Sequence, residues 1–323
     1  METLKMHRTL LKETEVNCLV KRNWSYLAWA LVYIIVLLSF VTPFMALTFS
    51  LVMIPVMILF VKLNTKTFVV TYVISLLIVN LLLGWQGMIV LAIALFFLPP
   101  VLVMGTLYKK QSSARTVLTA GTSMLLGEFL LTLVIGYAFG FNFINEFKEL
   151  MHEYLKAVQP AMGGFLQPGQ EDWYINYLIQ MLPLDLILFS LYFVFLTHGI
   201  SRFYLRRTGE TIPGLKPVKD WRLPKSFVWL YFIAFLCNMF LTVKLGSMLS
   251  AILVNLMPLL MLAFAVQAIS FFFYLADRNK WNKVIPVLSI VALVLFFPIL
   301  LVVYSLIGVF DAAFPIRERM NKR

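Results

Sequence analysis

The sequence predicts an all-α, polytopic transmembrane helical bundle of about eight or nine spans, with one interfacial amphipathic helix. Hydrophobic residues make up 61% of the 323-residue chain, and charged residues make up only 13%. A soluble domain carries about 25% charged residues. The apolar residues also occur in long runs, and about 20 of them suffice to cross a bilayer. Lipid is therefore the main solvent of this chain.

Nine apolar runs account for the predicted spans. Proline divides the runs that are too long for one straight helix, because the residue before proline disfavours the helical conformation. A first break is therefore expected at Pro43, and a kink or break at Pro99 and Pro100. The predicted spans cover residues 24–42, 43–60, 67–83, 88–107, 116–139, 174–198, 225–243, 247–276 and 284–310.

The basic residues predict the orientation of the chain. Twenty of the 27 Lys and Arg residues lie on one side, in the N-terminal segment or between spans, and three lie on the other side. The positive-inside rule then places the N-terminus in the cytoplasm. By the same rule, the net charge of +12 is an orientation signal, and no nucleic-acid partner is expected.

The C-terminal tail conflicts with a count of nine crossings. Nine crossings place it outside, although it carries four basic residues. The last segment could be interrupted at Pro298 and return, a run near the start could be re-entrant, or the tail could be an exception to the rule.

The spans and the segments between them predict five regions. One polar segment on the outer side has apolar residues at three- and four-residue steps, which is typical of an amphipathic helix lying on a membrane surface. The regions are a cytoplasmic basic segment (1–23), a transmembrane core (24–200) that includes this outer helix (143–158), a basic cytoplasmic loop (201–225), C-terminal spans (226–310) and a basic tail (311–323).

The sequence contains no recognisable catalytic motif. His7, His152 and His198 are predicted to lie on different sides of the membrane, so they cannot form one metal site. Cys18 and Cys237 lack metal-ligand spacing. We therefore expect a non-enzymatic protein without a catalytic residue, a bound metal or a cofactor.

Two acidic residues lie near the centres of predicted spans. Glu128 belongs to the fifth span and Asp185 to the sixth, where it follows Pro183 in a helix expected to be locally broken. A central charged residue costs about 2.5–3.5 kcal/mol on insertion scales. Each carboxyl group therefore needs a ligand, water, a proton or a hydrogen-bond partner on another helix.

Other polar residues in the spans are expected to hold helices together. The amides of Asn80, Asn238, Asn255 and Gln267 are interpreted mainly as interhelical hydrogen-bonding groups. The fifth span also carries a stripe of small residues, which predicts an intramolecular packing face. Its members are Thr116, Ala120, Ser123 and Gly127.

Several short motifs resemble the YybS-like bacterial membrane proteins, a family of unassigned function. The most specific of them is Trp221-Arg222-Leu223-Pro224, preceded by Asp220 and followed by Phe227-Val228-Trp229-Leu230. The others are Met53-Ile54-Pro55, then Phe97-Leu98-Pro99-Pro100 followed by Gly105 and Lys109-Lys110, and lastly Gly308-Val309-Phe310-Asp311 followed by Arg317.

The N-terminal part of that family is similar to the substrate-binding S components of energy-coupling factor vitamin transporters. The resemblance implies an S-component-like core in the bacterial cell membrane that binds a small molecule from the outer side and docks a transporter module. The first span departs from the pattern, because Ala28 and Ala30 lie two residues apart and those components dock through an AxxxA spacing.

The leading hypothesis is a small-molecule-binding membrane protein that takes part in transport. Its ligand-binding candidates are Trp85, Gln86, Glu128 and Asp185. A lipid-modifying enzyme is a third hypothesis, and it would have to use Glu128 or Asp185 without a metal.

The second hypothesis is a membrane scaffold or regulator that recruits a partner through the basic loop. Its partner-docking candidates are Arg206, Arg207, Trp221 and Arg222. Under every hypothesis, membrane lipid is an expected partner.

Overall fold

A computed structural model of the chain describes residues 26–158, 170–241, 244, 246–314 and 316–321. The predicted N-terminal segment 1–23, with Cys18, lies outside these residues. The regular structure of the described residues is helical throughout, as predicted. In chain order the helices are α1 (Tyr26–Val41), α2 (Met45–Lys62), α3 (Thr65–Leu83), α4 (Trp85–Phe96), α5 (Leu98–Lys109), α6 (Ala114–Ala138), α7 (Phe143–Val158), α8 (Glu171–Arg207), α9 (Lys225–Phe240), α10 (Met248–Arg278), α11 (Val284–Leu295), α12 (Ile299–Ala313) and α13 (Ile316–Asn321).

Six helical segments in the described part of the chain are long and apolar enough to cross a membrane. They are α2, α3, the α4–α5 pair, α6, α8 and α10. Four shorter apolar helices, α1, α9, α11 and α12, accompany them. The amphipathic helix α7 has the predicted bounds, Phe143–Val158. A polytopic helical membrane bundle is thus confirmed.

The chain forms two compact units. Unit 1 comprises the residues up to Ile135 together with Ile187–Leu215. Unit 2 comprises Gly136–Leu186 together with Lys216–Arg323. The long helix α8 contributes its first part to unit 2 and its second part to unit 1.

Aromatic side chains fill the centre of unit 1. Phe49 of α2 packs against Phe97 and Phe193, with ring centroids 5.6 and 5.5 Å apart. Phe189 continues the cluster to Phe129 of α6, at 5.4 Å. Close packing of large rings contributes dispersion energy to such a core.

The predicted interruption of the fourth span is confirmed. The helix breaks at Phe97 into α4 and α5, and the new helix accepts Pro99 and Pro100 in its first turn. Proline suits this position because the first turn of a helix has no internal acceptor for the missing N–H groups.

Several predicted inside segments meet at one end of unit 1. The Lys109 ammonium donates to the carbonyl of Leu63, at 3.2 Å. Lys62 lies 4.8 Å from the ring centroid of Tyr204. The C-terminal ends of α2, α5 and α8 therefore lie together. This is expected if the predicted inside segments that follow these three helices lie on the same side of the membrane.

Helix α8 continues through Pro183, contrary to the expected local break. The amide of Asn255 lies between the two backbone groups that the proline separates. Its Oδ1 accepts from the N–H of Leu184, at 2.7 Å, and its Nδ2 donates to the carbonyl of Gln180, at 2.6 Å. Ser250 adds a hydrogen bond to the Gln180 side chain, at 2.8 Å. The helix remains continuous because a side chain of α10 bridges the N–H of Leu184 and the carbonyl of Gln180, in place of the backbone bond between those two groups.

The prediction of a single last span over 284–310 is wrong. The structure divides it into α11 and α12, with 12 and 15 residues, around Phe296–Pro298. A helix of 12 residues is about 18 Å long, short of a hydrocarbon core of about 30 Å. The Tyr304 hydroxyl donates to the carbonyl of Ser289, at 2.8 Å, so the two helices run side by side as a hairpin.

This hairpin explains the basic tail. Arg317, which follows α12, donates to the carbonyl of Lys219, at 2.7 Å, and Lys219 precedes α9. The chain therefore returns to the end of unit 2 from which α9 departs. Of the alternatives that the sequence left open, a return of the last segment at Pro298 is the one observed.

The stripe of small residues on α6 is not the packing face that was predicted. A Cβ at Gly127 would have no atom within 4 Å, whereas a Cβ at Gly121, outside the stripe, would crowd Met104 and Val194. Two helices approach closely in unit 2 at Gly308 of α12, where a Cβ would overlap the backbone oxygen of Phe264 in α10.

Removing the Asn255 side chain is expected to destabilise the protein. The Asn255→Ala variant leaves the N–H of Leu184 and the carbonyl of Gln180 without partners, and we expect a loss of about 1–3 kcal/mol in the free energy of unfolding. Denaturant unfolding of the purified protein in detergent measures it. Asn238→Ala on the exposed side of α9 is the control and should change stability by less than about 0.5 kcal/mol.

Proline is the reason that Asn255 is needed, and a double variant tests this. In a Pro183→Ala background the backbone of α8 can close its own hydrogen bonds, so the effect of Asn255→Ala should shrink. An equal loss in both backgrounds would contradict this role of Asn255.

Two glycine substitutions separate close helix packing from helix propensity. Gly308→Ala forces α12 away from α10 and should destabilise the protein by about 1–3 kcal/mol. Gly127→Ala meets no neighbour and should stabilise α6 by up to about 1 kcal/mol, because alanine is the better helix former. Thermal unfolding in detergent compares the two variants; equal shifts would refute the close approach at Gly308.

Candidate functional site

A buried ion pair joins the end of α12 to α13 in unit 2. The side chains of Arg317 and Asp311 are 3% and 1% exposed. The Nε of Arg317 donates to Asp311 Oδ1, at 2.9 Å, and Nη2 contacts Oδ2 of the same carboxylate. Gln267 of α10 donates to that Oδ2 as well. The carboxylate is thus held by three donor groups, which is what a buried charge requires.

The same side chains hold the segment that precedes α9. The guanidinium of Arg317 also donates to Ser270, and the Ser270 hydroxyl donates to the carbonyl of Trp221, at 2.8 Å. The N–H of Leu223 donates to Gln267 Oε1, at 2.9 Å. We call Asp311, Arg317, Gln267 and Ser270 the Arg317 network. It joins the two sequence motifs on which the family resemblance rests most visibly, the Trp221 motif and the segment from Gly308 to Arg317.

Two exposed ion pairs surround the Arg317 network. Lys219 contacts Asp277 at 2.7 Å, and this hydrogen-bonded carboxylate raises the pKa of the lysine ammonium. Arg222 contacts Glu318 at 3.4 Å. Exposed ion pairs of this kind stabilise a protein by at most about 1 kcal/mol each. The buried pair of Asp311 and Arg317 is therefore the main interaction that holds the tail in place.

Unit 1 differs from unit 2 in how its buried polar atoms are bonded. Seven buried side-chain oxygen or nitrogen atoms in the described part of the chain have no hydrogen-bond partner, and all seven belong to unit 1. They are Tyr33 Oη, Asn80 Oδ1, Thr122 Oγ1, Glu128 Oε2, Thr197 Oγ1, His198 Nε2 and Ser201 Oγ. A buried polar atom of this kind is a candidate for bonding to water or to a ligand.

Three of these atoms lie within one turn of α8. Thr197 and Ser201 are fully buried, and His198 is 4% exposed. The Nδ1 of His198 is hydrogen-bonded to the Tyr108 hydroxyl, at 2.6 Å, which leaves Nε2 on the other side of the ring. One helical turn thus presents an imidazole nitrogen and two hydroxyl groups to the interior of unit 1.

The predicted ligand-binding residues lie in different environments. Trp85 and Gln86 are exposed in the first turn of α4, with Trp85 82% exposed. Glu128 is half-buried on α6, with one carboxyl oxygen enclosed. No hydrogen bond joins these three side chains in the described part of unit 1. Asp185 belongs to unit 2 and is exposed on α8.

The predicted docking residues are likewise divided. Arg206 and Arg207 are exposed at the end of α8 in unit 1, and the Arg207 guanidinium lies 4.0 Å from the ring centroid of Phe203. In unit 2 the Trp221 indole donates to the carbonyl of Lys216, at 2.8 Å. Trp221 is thus engaged within its own loop, whereas Arg222 presents its side chain at the surface.

Asp311 and Arg317 are not among the site residues predicted from the sequence. Both were grouped with the basic tail, although an acidic residue at the end of the last apolar run and an arginine six residues later provided a signal. Of the four amides predicted to bond between helices, Gln267 and Asn255 do so. Asn238 is exposed on α9, and Asn80 Oδ1 has no hydrogen-bond partner. No group of three or more metal-ligating side chains occurs in the residues that the structure describes.

The fold and its buried polar groups define a multi-pass helical membrane protein. The chain belongs to the family described as "Predicted membrane protein (DUF2232)", whose model matches residues 30–312. It is 24% identical over 227 residues to "Uncharacterized protein YybS" of Bacillus subtilis (strain 168), covering 68% of this chain and 73% of the relative. The resemblance to YybS-like membrane proteins is therefore confirmed. No solved structure matches the chain.

Breaking the buried pair is expected to be costly. Arg317→Leu leaves Asp311 buried without its counter-ion, and we expect a loss of about 3–5 kcal/mol in the free energy of unfolding. The double variant Asp311→Leu/Arg317→Leu should recover part of this loss. Arg222→Gln, at the exposed pair, should cost less than about 1 kcal/mol. A double-mutant cycle in detergent measures the coupling, and a cost for Arg317→Leu as small as that of Arg222→Gln would show that the pair does not fasten the tail.

Proposed function

We propose that this protein is a non-enzymatic integral membrane protein that binds a small molecule within the helical bundle of unit 1 and takes part in its transport. The family match supports the membrane location. The observation that carries the proposal is the position of Glu128, whose Oε2 is buried in a membrane-spanning helix without a hydrogen-bond partner.

The contrast with unit 2 supports this assignment. The buried carboxylate of Asp311 has arginine and glutamine donors, so it is satisfied by the protein itself. The Glu128 carboxyl has no comparable set of donors. A buried polar atom without a hydrogen-bond partner costs free energy whether protein or lipid surrounds it. A carboxyl group at this position of a membrane-spanning helix costs free energy. Such residues are typical of functional sites in membrane proteins.

A binding group on α6 also has suitable surroundings. Phe129, the next residue, packs against Phe96 and Phe189, at centroid distances of 5.0 and 5.4 Å. Small-molecule sites are mostly apolar and aromatic, with a few polar groups that orient the ligand. The aromatic cluster belongs to the same unit as Glu128 and supplies apolar side chains of that kind, and Trp85 and Gln86 remain candidates for the outer opening.

A second function, partner recruitment, has less support. Trp221 is occupied by hydrogen bonds within unit 2, but the Arg317 network holds the backbone around Arg222 in place. Arg222 is exposed and contacts Glu318, at 3.4 Å, so an acidic protein partner would have to replace that glutamate. The transporter module that the S-component resemblance implies is one such proposed partner.

Removal of one charge on α6 tests the principal proposal. The protein is extracted from its native membrane and examined by native mass spectrometry for co-purifying low-mass species. The wild type should retain a bound species, and Glu128→Gln should lose at least about nine-tenths of it, as expected when a charge-assisted hydrogen bond is weakened. Glu146→Gln, an equivalent change at an exposed position of α7, is the matched control.

Two results would contradict the proposal. One is a folded wild-type protein with no bound species other than phospholipid. The other is equal retention of the bound species by wild type and Glu128→Gln. Thermal unfolding of each variant shows whether a loss of binding reflects a loss of folding.

A further inference from the structure

A polar cleft of about 510 Å³ opens at the end of α8 in unit 1. Arg202 and Arg206, one helical turn apart, line it from α8. The opposite side is formed by Gln111 and by the chain that follows α8, where the Thr211 hydroxyl donates to Gln111 Oε1, at 3.3 Å. The volume lies in the range of small-molecule sites, about 300–1,000 Å³.

Arg202 is held in a fixed position in this cleft. Its Nε donates to the carbonyl of Ile212, at 3.2 Å. Its guanidinium also lies so close to Gly214 that a Cβ there would overlap Nη2. A guanidinium whose position is set by its own backbone contacts loses little further freedom when it binds a ligand.

Arg206 completes a pair of cationic groups. Its side chain is exposed and lines the same cleft. The planar donor fork of arginine matches the oxygen atoms of phosphate, often with two parallel hydrogen bonds. Glu210 also lines the cleft and partly offsets the positive charge, so it opposes an anion.

We propose that this cleft binds a phosphate group, and that the source of this group is the headgroup of an anionic phospholipid. The cleft lies at the end of a membrane-spanning helix, where basic pockets between helices meet lipid headgroups. Its volume exceeds that of a bare phosphate ion, so a phosphate ester with an attached alcohol fits. This inference goes beyond the proposed function and does not depend on Glu128.

Titration with defined lipids tests the proposal. Delipidated protein in detergent is titrated with phosphatidylglycerol and, separately, with phosphatidylcholine, and bound lipid is counted by native mass spectrometry. Phosphatidylglycerol should bind more tightly than phosphatidylcholine. Arg206→Gln should weaken phosphatidylglycerol binding about tenfold, as expected for the loss of a charge-assisted hydrogen bond.

Two variants near Arg206 sharpen the test. Arg207→Gln removes the same charge from the neighbouring residue, which stacks on Phe203 and does not line the cleft, so binding should remain within about twofold of wild type. Glu210→Gln removes the opposing carboxylate and should strengthen binding. These opposite effects distinguish a site from general attraction to a basic surface.

Inorganic phosphate distinguishes the two sources of the ligand. If millimolar phosphate displaces the lipid from the wild type and not from Arg206→Gln, the cleft recognises phosphate irrespective of the lipid. This result supports the phosphate group as the part of the ligand that the cleft binds. Equal losses in Arg206→Gln and Arg207→Gln, or equal binding of the two lipids, would overturn the proposal.

Discussion

A polar atom that is removed from water in the hydrocarbon region of a membrane must find its hydrogen-bond partner within the protein or in a ligand. Unit 2 illustrates this constraint. Pro183 opens the adjacent turn of α8, and the side chain of Asn255 in α10 bonds the N–H of Leu184 and the carbonyl of Gln180, which no longer bond each other. Asp311 and Arg317 neutralise each other and are further bonded by Gln267 and by the carbonyl of Lys219. The packing of α10, α12 and the loop before α9 depends on these bonds.

The same constraint is the basis of the proposed binding site in unit 1. Unit 1 has a dense aromatic core, yet it retains buried polar atoms on several helices that its own side chains do not bond. These atoms weaken the unit unless another molecule satisfies them, because an unmade buried hydrogen bond costs about 1–3 kcal/mol. Such an arrangement favours binding in unit 1, whereas the satisfied network of unit 2 favours a structural role.

Composition and periodicity were sufficient to predict the class of fold and most of its helices. The run of apolar residues at three- and four-residue steps located α7 with its observed bounds, because that pattern depends only on local geometry. Pro99 and Pro100 predicted the break before α5 for the same reason. The sequence did not decide whether the last apolar run forms one span or the hairpin of α11 and α12. The length of an apolar run does not give the direction in which the chain continues after a proline.

Long-range contacts account for the features that the sequence did not reveal. Arg317 resembles an ordinary basic tail residue until α12 returns and places it against Asp311 and Lys219. Pro183 predicted a break because its partner, Asn255, lies 72 positions further along the chain. The cleft at Arg202 and Arg206 likewise forms only when the chain after α8 folds back towards Gln111. Each of these features joins residues that no local pattern relates.

We propose that unit 1 completes its buried polar bonding with a bound molecule, whereas unit 2 completes it internally. A high-resolution experimental structure of the protein in its native lipids tests this claim most directly, through the non-protein density in each unit. The account predicts density within hydrogen-bond distance of Glu128 Oε2, and none at the carboxylate of Asp311. Protein groups bonded to Glu128, with no such density beside it, would contradict the account.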